Sequence, residues 1–253
     1  MGGKVWLALD YIFENAEWNI AVSTVRFSGD QQRAYDIWER ANMLVKKNES
    51  IFDLTDGITN LKRSINQRLK VIEYIYGFKK ISFSNKPKGY LELLETYGIV
   101  KPYIIKTIFE IRNLIEHNDS QPPDPERCKE LVDMVWYFLK STDYLIYRVP
   151  TDFEFSMFDK DNNGTHYAGT LTLDLAEHKS IGIHGWFPQE VICTGERENF
   201  VTMDIDDIHG KEKWMNTEFH KDKLNTDLWV SGEVDTIYFD YHYLIWYLLT
   251  SVK

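Results

Sequence analysis

Apolar residues recur at intervals of three and four over most of the first 150 residues of the chain. This spacing places them on one face of a helix and predicts helices with a buried side. The helices predicted in this way span residues 31–47, 53–76, 90–97, 101–117 and 126–147. We also interpret residues 5–25 as a first helix or pair of helices, with Trp6, Leu9, Phe13 and Trp18 buried. Helices of these lengths, joined by short loops, predict an antiparallel bundle.

The pattern changes near Pro150 from helical spacing to alternation. Phe153, Phe155 and Met157 alternate with polar residues, and residues 169–175 alternate again after a turn at 159–164, which predicts a β-hairpin. Further strands are predicted at residues 180–186, 190–194, 200–205, 229–234 and 236–241. Residues 243–252 fit either a closing helix or a last strand. The predicted fold class is α+β, with an all-α helical bundle in residues 1–149 and a smaller β-rich domain in residues 150–253.

The charged residues are divided unequally between these two parts. The whole chain has a formal net charge of −10, which argues against a general nucleic-acid binder. Residues 1–150 hold 21 Lys and Arg against 20 Asp and Glu, whereas residues 151–253 hold 8 against 19. This asymmetry of sign supports the division into two domains.

Residues 61–90 form a basic stretch in which Glu73 is the single acid. Such a stretch is a candidate surface for tracking the phosphates of RNA. The candidate RNA-binding residues are Lys62, Arg63, Arg68, Lys70, Lys79 and Lys80, and Lys86 and Lys88 follow in the same stretch. The alternative is a helix face and a loop whose charges only keep the protein in solution.

Candidate catalytic residues lie near the end of the helix predicted at 101–117. Asn113 and His117 are four residues apart and therefore share a helix face, whereas Arg112 lies about 140° round the helix from His117. Histidine exchanges protons near neutral pH, and the guanidinium group presents a planar donor fork to phosphate oxygens. These residue types suit attack by an RNA 2′-hydroxyl on its own phosphate, without a metal. The alternative is that Arg112 and Glu116 form an i, i+4 ion pair on a solvated face.

The segment from Glu110 to Asn118, followed by a Pro-rich turn and another long helix, resembles the HEPN superfamily. The signature of that superfamily is Arg, a polar residue, three to five further residues and His, which here are Arg112, Asn113 and His117. The resemblance covers roughly residues 5–148, and its specific part is this one segment. It implies a helical domain and a metal-independent ribonuclease of a toxin–antitoxin or phage-defence system. It also implies a homodimer whose two motifs face each other across one cleft.

The remaining sequence offers few chemical motifs. Cys128 and Cys193 have no metal spacing, which predicts a reducing cytoplasm and no disulfide framework. Residues 159–164 resemble the first half of a calcium loop, but Thr170 stands where such a loop needs Glu, so we interpret them as a turn. Asp204, Asp206, Asp207 and His209 are close in sequence without a recognised metal signature, and we interpret them as a solvated acidic edge. We therefore expect no metal and no cofactor.

No signal peptide is expected, because Asp10, Glu14 and Glu17 interrupt the apolar N-terminal residues. No apolar run approaches the length of a membrane span either, so no membrane partner is expected. The β-rich part is typical of a module that senses, restrains or recruits, and a protein regulator is its expected partner.

Two hypotheses of different classes follow. The first is a metal-independent endoribonuclease that cleaves RNA by 2′-hydroxyl transesterification in a composite dimer cleft. The second is a non-catalytic HEPN-like dimerisation, interaction or nucleotide-binding module. A superfamily resemblance does not choose between them, because activity depends on the assembled site.

Overall fold

The computed structural model describes residues 3–8, 14, 16–22, 31–118, 120–158, 161, 164–175, 180–214, 226–234 and 241–251. Its backbone divides into two compact units. The sheet unit comprises residues 1–23 and 150–241, and the helical unit comprises residues 24–149 and 242–253. The fold is thus mixed α and β, with a helical region followed by a β region, in agreement with the predicted class.

The predicted domain limits need correction at both ends of the chain. The boundary between residues 149 and 150 coincides with the predicted one. However, residues 1–23 belong to the sheet unit and not to a helical domain of residues 1–149. Residues 242–253 belong to the helical unit and not to the β-rich part. With these corrected limits the difference in charge between the two units is larger than predicted. The sheet unit holds 8 Lys and Arg against 22 Asp and Glu, and the helical unit holds 21 against 17.

Most helices of the helical unit lie where the spacing predicts them. They are α1 (Arg33–Lys47), α2 (Ile51–Tyr76), α3 (Tyr90–Thr96), α4 (Pro102–Asn118), α5 (Pro125–Ser141), α6 (Asp143–Tyr147) and α7 (Tyr241–Ser251), the last belonging to this unit from His242 onward. The predicted helix at 126–147 is two helices, with a break at Thr142. The open question about residues 243–252 is answered by α7, which is a helix.

The long helix α2 is the centre of the helical unit and contacts α1, α4, α5 and α6. A capping box starts it: the Ser50 hydroxyl accepts from the amide of Asp53, and the Asp53 carboxylate accepts from the amide of Ser50. It ends at Gly77, whose φ of 58° is the left-handed conformation that glycine adopts without strain. Its apolar residues are buried, including Ile58, Leu61, Ile65 and Ile72. These residues hold the neighbouring helices in place.

The C-terminal helix α7 packs within the helical unit through its first residues. The Nδ1 atom of His242 lies 2.8 Å from the hydroxyl oxygen of Tyr97, and the His242 ring stacks on Phe83 with centroids 3.6 Å apart. Leu244 and Ile245 are buried. A segment more than a hundred residues beyond α4 therefore completes this unit. No helix in the described ranges is long and apolar enough to cross a membrane.

The sheet unit is built on one antiparallel sheet. Its described strands are β1 (Lys4–Leu7), β2 (Ala16–Val22), β3 (Pro150–Phe158), β4 (Gly164–Leu173), β5 (Ile181–Phe187), β6 (Ile192–Cys193), β7 (Val201–His209) and β8 (Leu228–Val234). They lie in the order β2-β3-β4-β5-β8-β7-β1-β6. The hairpin of β3 and β4 and the strands near residues 180, 190, 200 and 229 confirm the predictions, and the strand predicted at 236–241 falls mainly outside the described residues.

The helix predicted at residues 5–25 is wrong, because β1 and β2 lie in this stretch. In β1, Val5 and Leu7 are buried while Lys4 is exposed, and the strand pairs with β7 about 200 residues later. In β2, Glu17 and Asn19 are exposed, as expected for a strand whose polar residues occupy every second position. Trp6 is only partly buried, Leu9 and Phe13 lie outside the described residues, and the side chain of Trp18 is not described. These two segments form strands because they pair with β7 and β3, which lie far away in the sequence.

Candidate functional site

The helix α4 carries the Arg112, Asn113 and His117 motif in its last two turns. One side of this helix is buried in the bundle through Ile105, Ile108 and Ile115. The helix is described as far as Asn118, close to the turn formers and prolines that predict its end. His117 is therefore exposed at the free end of a helix whose opposite side is held in the core.

Two further apolar residues of α4 are not on its buried side. Ile104 is 44% exposed and Leu114 is 51% exposed, although their spacing predicts burial together with Ile105 and Ile108. Tyr103, at the start of the same helix, is 81% exposed. The apolar residues thus extend beyond the arc that the bundle covers. Leu114 also lies beside His117 in the pocket described next.

Asn113 and His117 line the same surface pocket, as their four-residue separation predicts. The pocket has a volume of about 430 Å³ and is lined by Glu110, Asn113, Leu114, His117 and Asn118. Two polar side chains that can exchange a proton or orient a hydroxyl therefore converge on one space. The pocket also contains an apolar wall, which Leu114 supplies.

Arg112 is not among the residues that line this pocket. One of its terminal nitrogens pairs with the Glu116 carboxylate, and the other lies 3.4 Å from the Oδ1 atom of Asn113. Its Nε atom is buried and has no hydrogen-bond partner within the described part of the chain. The i, i+4 ion pair is therefore the arrangement that the structure adopts, and the guanidinium does not meet His117. To reach a phosphate in the pocket, Arg112 has to leave Glu116.

Lys62 reaches the motif from the neighbouring helix. Its Nζ atom donates to the Oδ1 atom of Asn113 at 3.1 Å and lies 5.4 Å from the centre of the Phe109 ring. The packing of α2 against α4 brings these residues together although 51 positions separate them in the sequence. A predicted RNA-binding residue thus contacts a predicted catalytic residue.

Of the other predicted RNA-binding residues, four lie at the surface and one is buried. Arg63, Lys70, Lys79 and Lys80 lie at the surface, with Arg63 donating to the Oδ1 atom of Asn60 at 3.1 Å. Arg68 contradicts the prediction, because its side chain is 0% exposed and pairs with Asp143 at 2.9 Å. It continues the three- and four-residue spacing of Leu61, Ile65 and Ile72, and this places it in the core of the bundle. Arg68 is a structural residue that no RNA can reach.

A second pocket, of about 420 Å³, is lined by lysines of the basic stretch. Lys79, Lys86 and Lys88 line it together with Pro87, Tyr90 and Leu93. The Lys86 ammonium donates to the carbonyls of Lys79 and Ile81 at 2.6 and 2.7 Å and so holds the loop closed. Lys79 lies 4.6 Å from the centre of the Tyr90 ring. Burial, together with the nearby Glu73 carboxylate, raises the pKa of Tyr90 above its usual value, so its hydroxyl stays neutral.

Each pocket has at least one residue in contact with α2. Lys62 contacts the motif on α4, and the carbonyl oxygen of Leu69 lies 3.5 Å from the hydroxyl of Tyr90, which lines the lysine pocket. Positions 62 and 69 are two turns apart on one helix face, which separates the two contacts by roughly 10 Å along the axis. About three stacked nucleotides span this distance.

The acidic residues predicted as a solvated edge lie along β7. Asp204 pairs with Lys4 at 3.6 Å, and the Nδ1 atom of His209 lies 2.9 Å from the carbonyl oxygen of Gly210. No group of three or more His, Cys, Asp or Glu side chains suited to a metal ion occurs among the described residues. Most of the calcium-like turn at 159–164 lies outside the described part.

A further group of polar and aromatic residues, not predicted from the sequence, lies together in the sheet unit. His166 and Asp227 are 61 residues apart, and the Nε2 atom of His166 lies 2.7 Å from a carboxylate oxygen of Asp227. His166, His184, Trp186 and Trp229 line a common pocket. No local motif marks these residues, and only the pairing of the strands brings them together.

Comparison of the chain with models of protein families, with curated proteins and with solved structures finds no match.

Proposed function

We propose that the helical unit is a metal-independent endoribonuclease. The observation that carries the proposal is the shared pocket of Asn113 and His117, with the Lys62 ammonium hydrogen-bonded to Asn113. A proton-transfer group, an orienting amide and a cation thus meet at one exposed place, which is what attack by a 2′-hydroxyl on a phosphate requires. The surface lysines of the second pocket, Lys79 and Lys88, provide contacts for the neighbouring phosphates of the strand.

The reaction forms one bond and breaks one. The 2′-oxygen attacks the adjacent phosphorus, and the bond from phosphorus to the 5′-oxygen breaks. The 2′-hydroxyl loses its proton to a base, and an acid gives a proton to the leaving 5′-oxygen. The products are a 2′,3′-cyclic phosphate and a 5′-hydroxyl. His117 supplies one of these two proton transfers, because histidine serves as base or acid near neutral pH.

The second proton transfer is the reason for proposing a homodimer. One His117 cannot accept and donate a proton at the same moment on opposite sides of the phosphorus. A second copy of α4 across the cleft supplies another His117. The exposed side chains of Tyr103, Ile104 and Leu114 on this helix provide the apolar contact that a dimer face needs.

The proposed role of Arg112 is to bind the phosphate after leaving Glu116. The ion pair is only partly exposed, so the carboxylate competes directly with an incoming phosphate for the same guanidinium. In the resting protein, Glu116 therefore weakens RNA binding.

Replacing Glu116 with Gln is expected to tighten RNA binding about three- to tenfold, because the competing carboxylate is gone. The measurement is filter binding with a labelled single-stranded RNA, made in the His117→Ala background so that the RNA stays intact. Glu126→Gln is the matched control, since Glu126 pairs with Lys129 on α5 away from the motif. Equal affinity for Glu116→Gln and the parent protein would show that the ion pair does not restrain Arg112.

Replacing Lys79 and Lys88 together with Ala is expected to weaken RNA binding at every sequence tested. The slope of log K against log salt should fall by roughly 1.4, because each lost phosphate contact removes about 0.7 on a single strand. Lys129→Ala is the matched control, because it removes an exposed lysine from α5. An unchanged slope in the double variant would place the RNA elsewhere.

A cleavage assay tests the proposed function. Labelled total RNA is incubated in excess EDTA with the wild type, with His117→Ala and with Asn118→Ala, which changes an exposed neighbour in the same pocket. We expect fragments from the wild type and from Asn118→Ala, and intact RNA from His117→Ala. Cleavage by all three proteins, or by none, would contradict the proposal.

A second candidate function is a non-catalytic dimerisation or interaction module. The observation that favours it is the Arg112–Glu116 ion pair, which leaves the guanidinium outside the pocket. Under this function the wild type leaves RNA intact under every condition, and Leu114→Asp abolishes self-association in analytical ultracentrifugation. The partner surface for a protein regulator, expected within residues 150–253, we propose for the sheet unit, which includes residues 150–241.

A further inference from the structure

A pocket in the sheet unit lies on the face of the sheet that is opposite its core. Its volume is about 500 Å³, within the range of small-molecule sites, and β3, β4, β5 and β8 contribute its walls. Among its lining residues are Glu154, Thr170, His166, His184, Trp186 and Trp229. The motif of the helical unit plays no part in it.

The strand register explains why these side chains share one face. Glu154 pairs with Thr170, and Thr170 pairs with His184. Trp186 on β5 pairs with Trp229 on β8. Side chains that are paired across strands point to the same face, and residues between them point to the other. The intervening Leu171 and Ile183 are buried in the core, so the paired residues project away from it. Phe155 also lines the pocket, where its strand partner is Gly169, which has no side chain.

Three aromatic rings form a corner in this pocket. The ring centroids of Trp186 and Trp229 lie 5.9 Å apart at an interplanar angle of 67°, and His184 lies 6.1 Å from Trp229. The two indole rings meet edge to face, and the His209 ring stacks on Trp229 with centroids 6.2 Å apart, so the corner is held in a fixed geometry. Tryptophan is the side chain whose π face attracts cations most strongly.

The charges around the pocket have one sign. Glu154 lines it directly, and behind His166 stands Asp227, which is 1% exposed and also accepts from the Tyr167 hydroxyl at 3.1 Å. Among its described lining residues there is no Lys or Arg. The sheet unit as a whole holds 8 Lys and Arg against 22 Asp and Glu. Phosphates and other anions are therefore repelled from this site, and cations are attracted.

We propose that this pocket binds a small organic cation with apolar substituents on its nitrogen, of the quaternary ammonium class. The aromatic corner and the carboxylates together recognise the positive charge, and the apolar side chains of Phe155 and Ala168, which also line the pocket, contact the substituents. A bare metal ion does not fit the same chemistry, because no suitable group of three ligands occurs in the described part of the chain. This site is independent of the proposed ribonuclease activity.

Titration calorimetry on the full chain tests the proposal with a pair of probes that differ in charge alone. Choline carries a quaternary nitrogen where 3,3-dimethylbutan-1-ol carries a carbon of the same shape. We expect choline and tetramethylammonium to bind and the neutral alcohol to bind at least tenfold more weakly, because cation–π attraction in a desolvated site adds to apolar contact. Equal affinity of choline and the alcohol, or no binding of either cation, would overturn the proposal.

Two variants locate the binding. Glu154→Gln changes an exposed side chain and leaves the fold intact, and it is expected to weaken choline binding several-fold. Glu190→Gln is the matched control, an exposed acid of the same unit that does not line the pocket. Trp229→Leu should abolish binding, with Trp229→Phe retaining part of it and guarding against a folding defect. Unchanged affinity in both Glu154→Gln and Trp229→Leu would place choline outside this pocket.

Discussion

Replacing His117 with Ala is expected to lower the rate of RNA cleavage by about 10²- to 10⁴-fold, the usual contribution of one positioned acid or base. The loss follows because His117 is the proposed proton-transfer group in the pocket that it shares with Asn113. His117 is exposed at the end of α4 and contributes little to the core, so stability should change by less than about 0.5 kcal/mol. Single-turnover cleavage of a labelled RNA measures the rate, and thermal unfolding measures the stability.

Rescue distinguishes a chemical role of His117 from a structural one. Free imidazole added to His117→Ala should restore part of the cleavage rate, because it can enter the vacated pocket and exchange the same protons. Asn118→Ala, a change in the same pocket, should cleave at close to the wild-type rate. Wild-type cleavage by His117→Ala would exclude this histidine from the reaction.

Replacing Asp143 with Ala is expected to destabilise the helical unit by about 3–5 kcal/mol, because it leaves the buried charge of Arg68 without a counter-ion. The Arg68 side chain is 0% exposed, and its Nη1 atom donates to the Asp143 carboxylate at 2.9 Å and to the Leu139 carbonyl at 3.0 Å. Asp143 also accepts from the Tyr35 hydroxyl at 2.8 Å. Burial, together with this hydrogen bond to Asp143, raises the pKa of Tyr35. Urea unfolding followed by circular dichroism gives the free energy of unfolding.

The companion variant Arg68→Met should be far less damaging than Asp143→Ala. The Nε and Nη2 atoms of Arg68 are buried without a hydrogen-bond partner among the described residues, so the arginine carries part of its desolvation cost uncompensated. Methionine has a similar length and no polar atoms to satisfy. Asp133→Ala, on the exposed side of α5, is the matched control. Asp143→Ala within 0.5 kcal/mol of the wild type would contradict this reading of the pair.

Local sequence patterns predict the helices well and the N-terminal strands poorly, for a physical reason. In α2 the apolar residues from Leu54 to Ile75 follow helical spacing over many turns, and no other structure would bury them together. In β1 almost every residue is apolar, so spacing cannot separate a strand from a helix. Its neighbours, β6 and β7, come nearly 200 residues later. In β2 the alternation of Glu17 and Asn19 with apolar residues was a usable signal for a strand.

In the candidate site, too, some features can be predicted from the sequence and others depend on how the helices pack. The shared pocket of Asn113 and His117 follows from helix geometry alone, as does the separate position of Arg112. The contact of Lys62 with Asn113 depends on the packing of α2 against α4 and cannot be read from spacing. The burial of Arg68 could have been predicted, since it continues the spacing of Leu61 and Ile65. The positive charge of Arg68 by itself gives no sign of this burial.

The measurement that tests the central claim most directly is the chemistry of the ends left on cleaved RNA. Fragments produced by the wild type in excess EDTA are treated with acid and phosphatase, and their mobility and mass are compared with those of untreated fragments. Our account predicts 2′,3′-cyclic phosphates and 5′-hydroxyls from the wild type, and at most traces of them from His117→Ala in the same time. Fragments with 3′-hydroxyls and 5′-phosphates, or the same ends formed at the wild-type rate by His117→Ala, would contradict transesterification through this histidine.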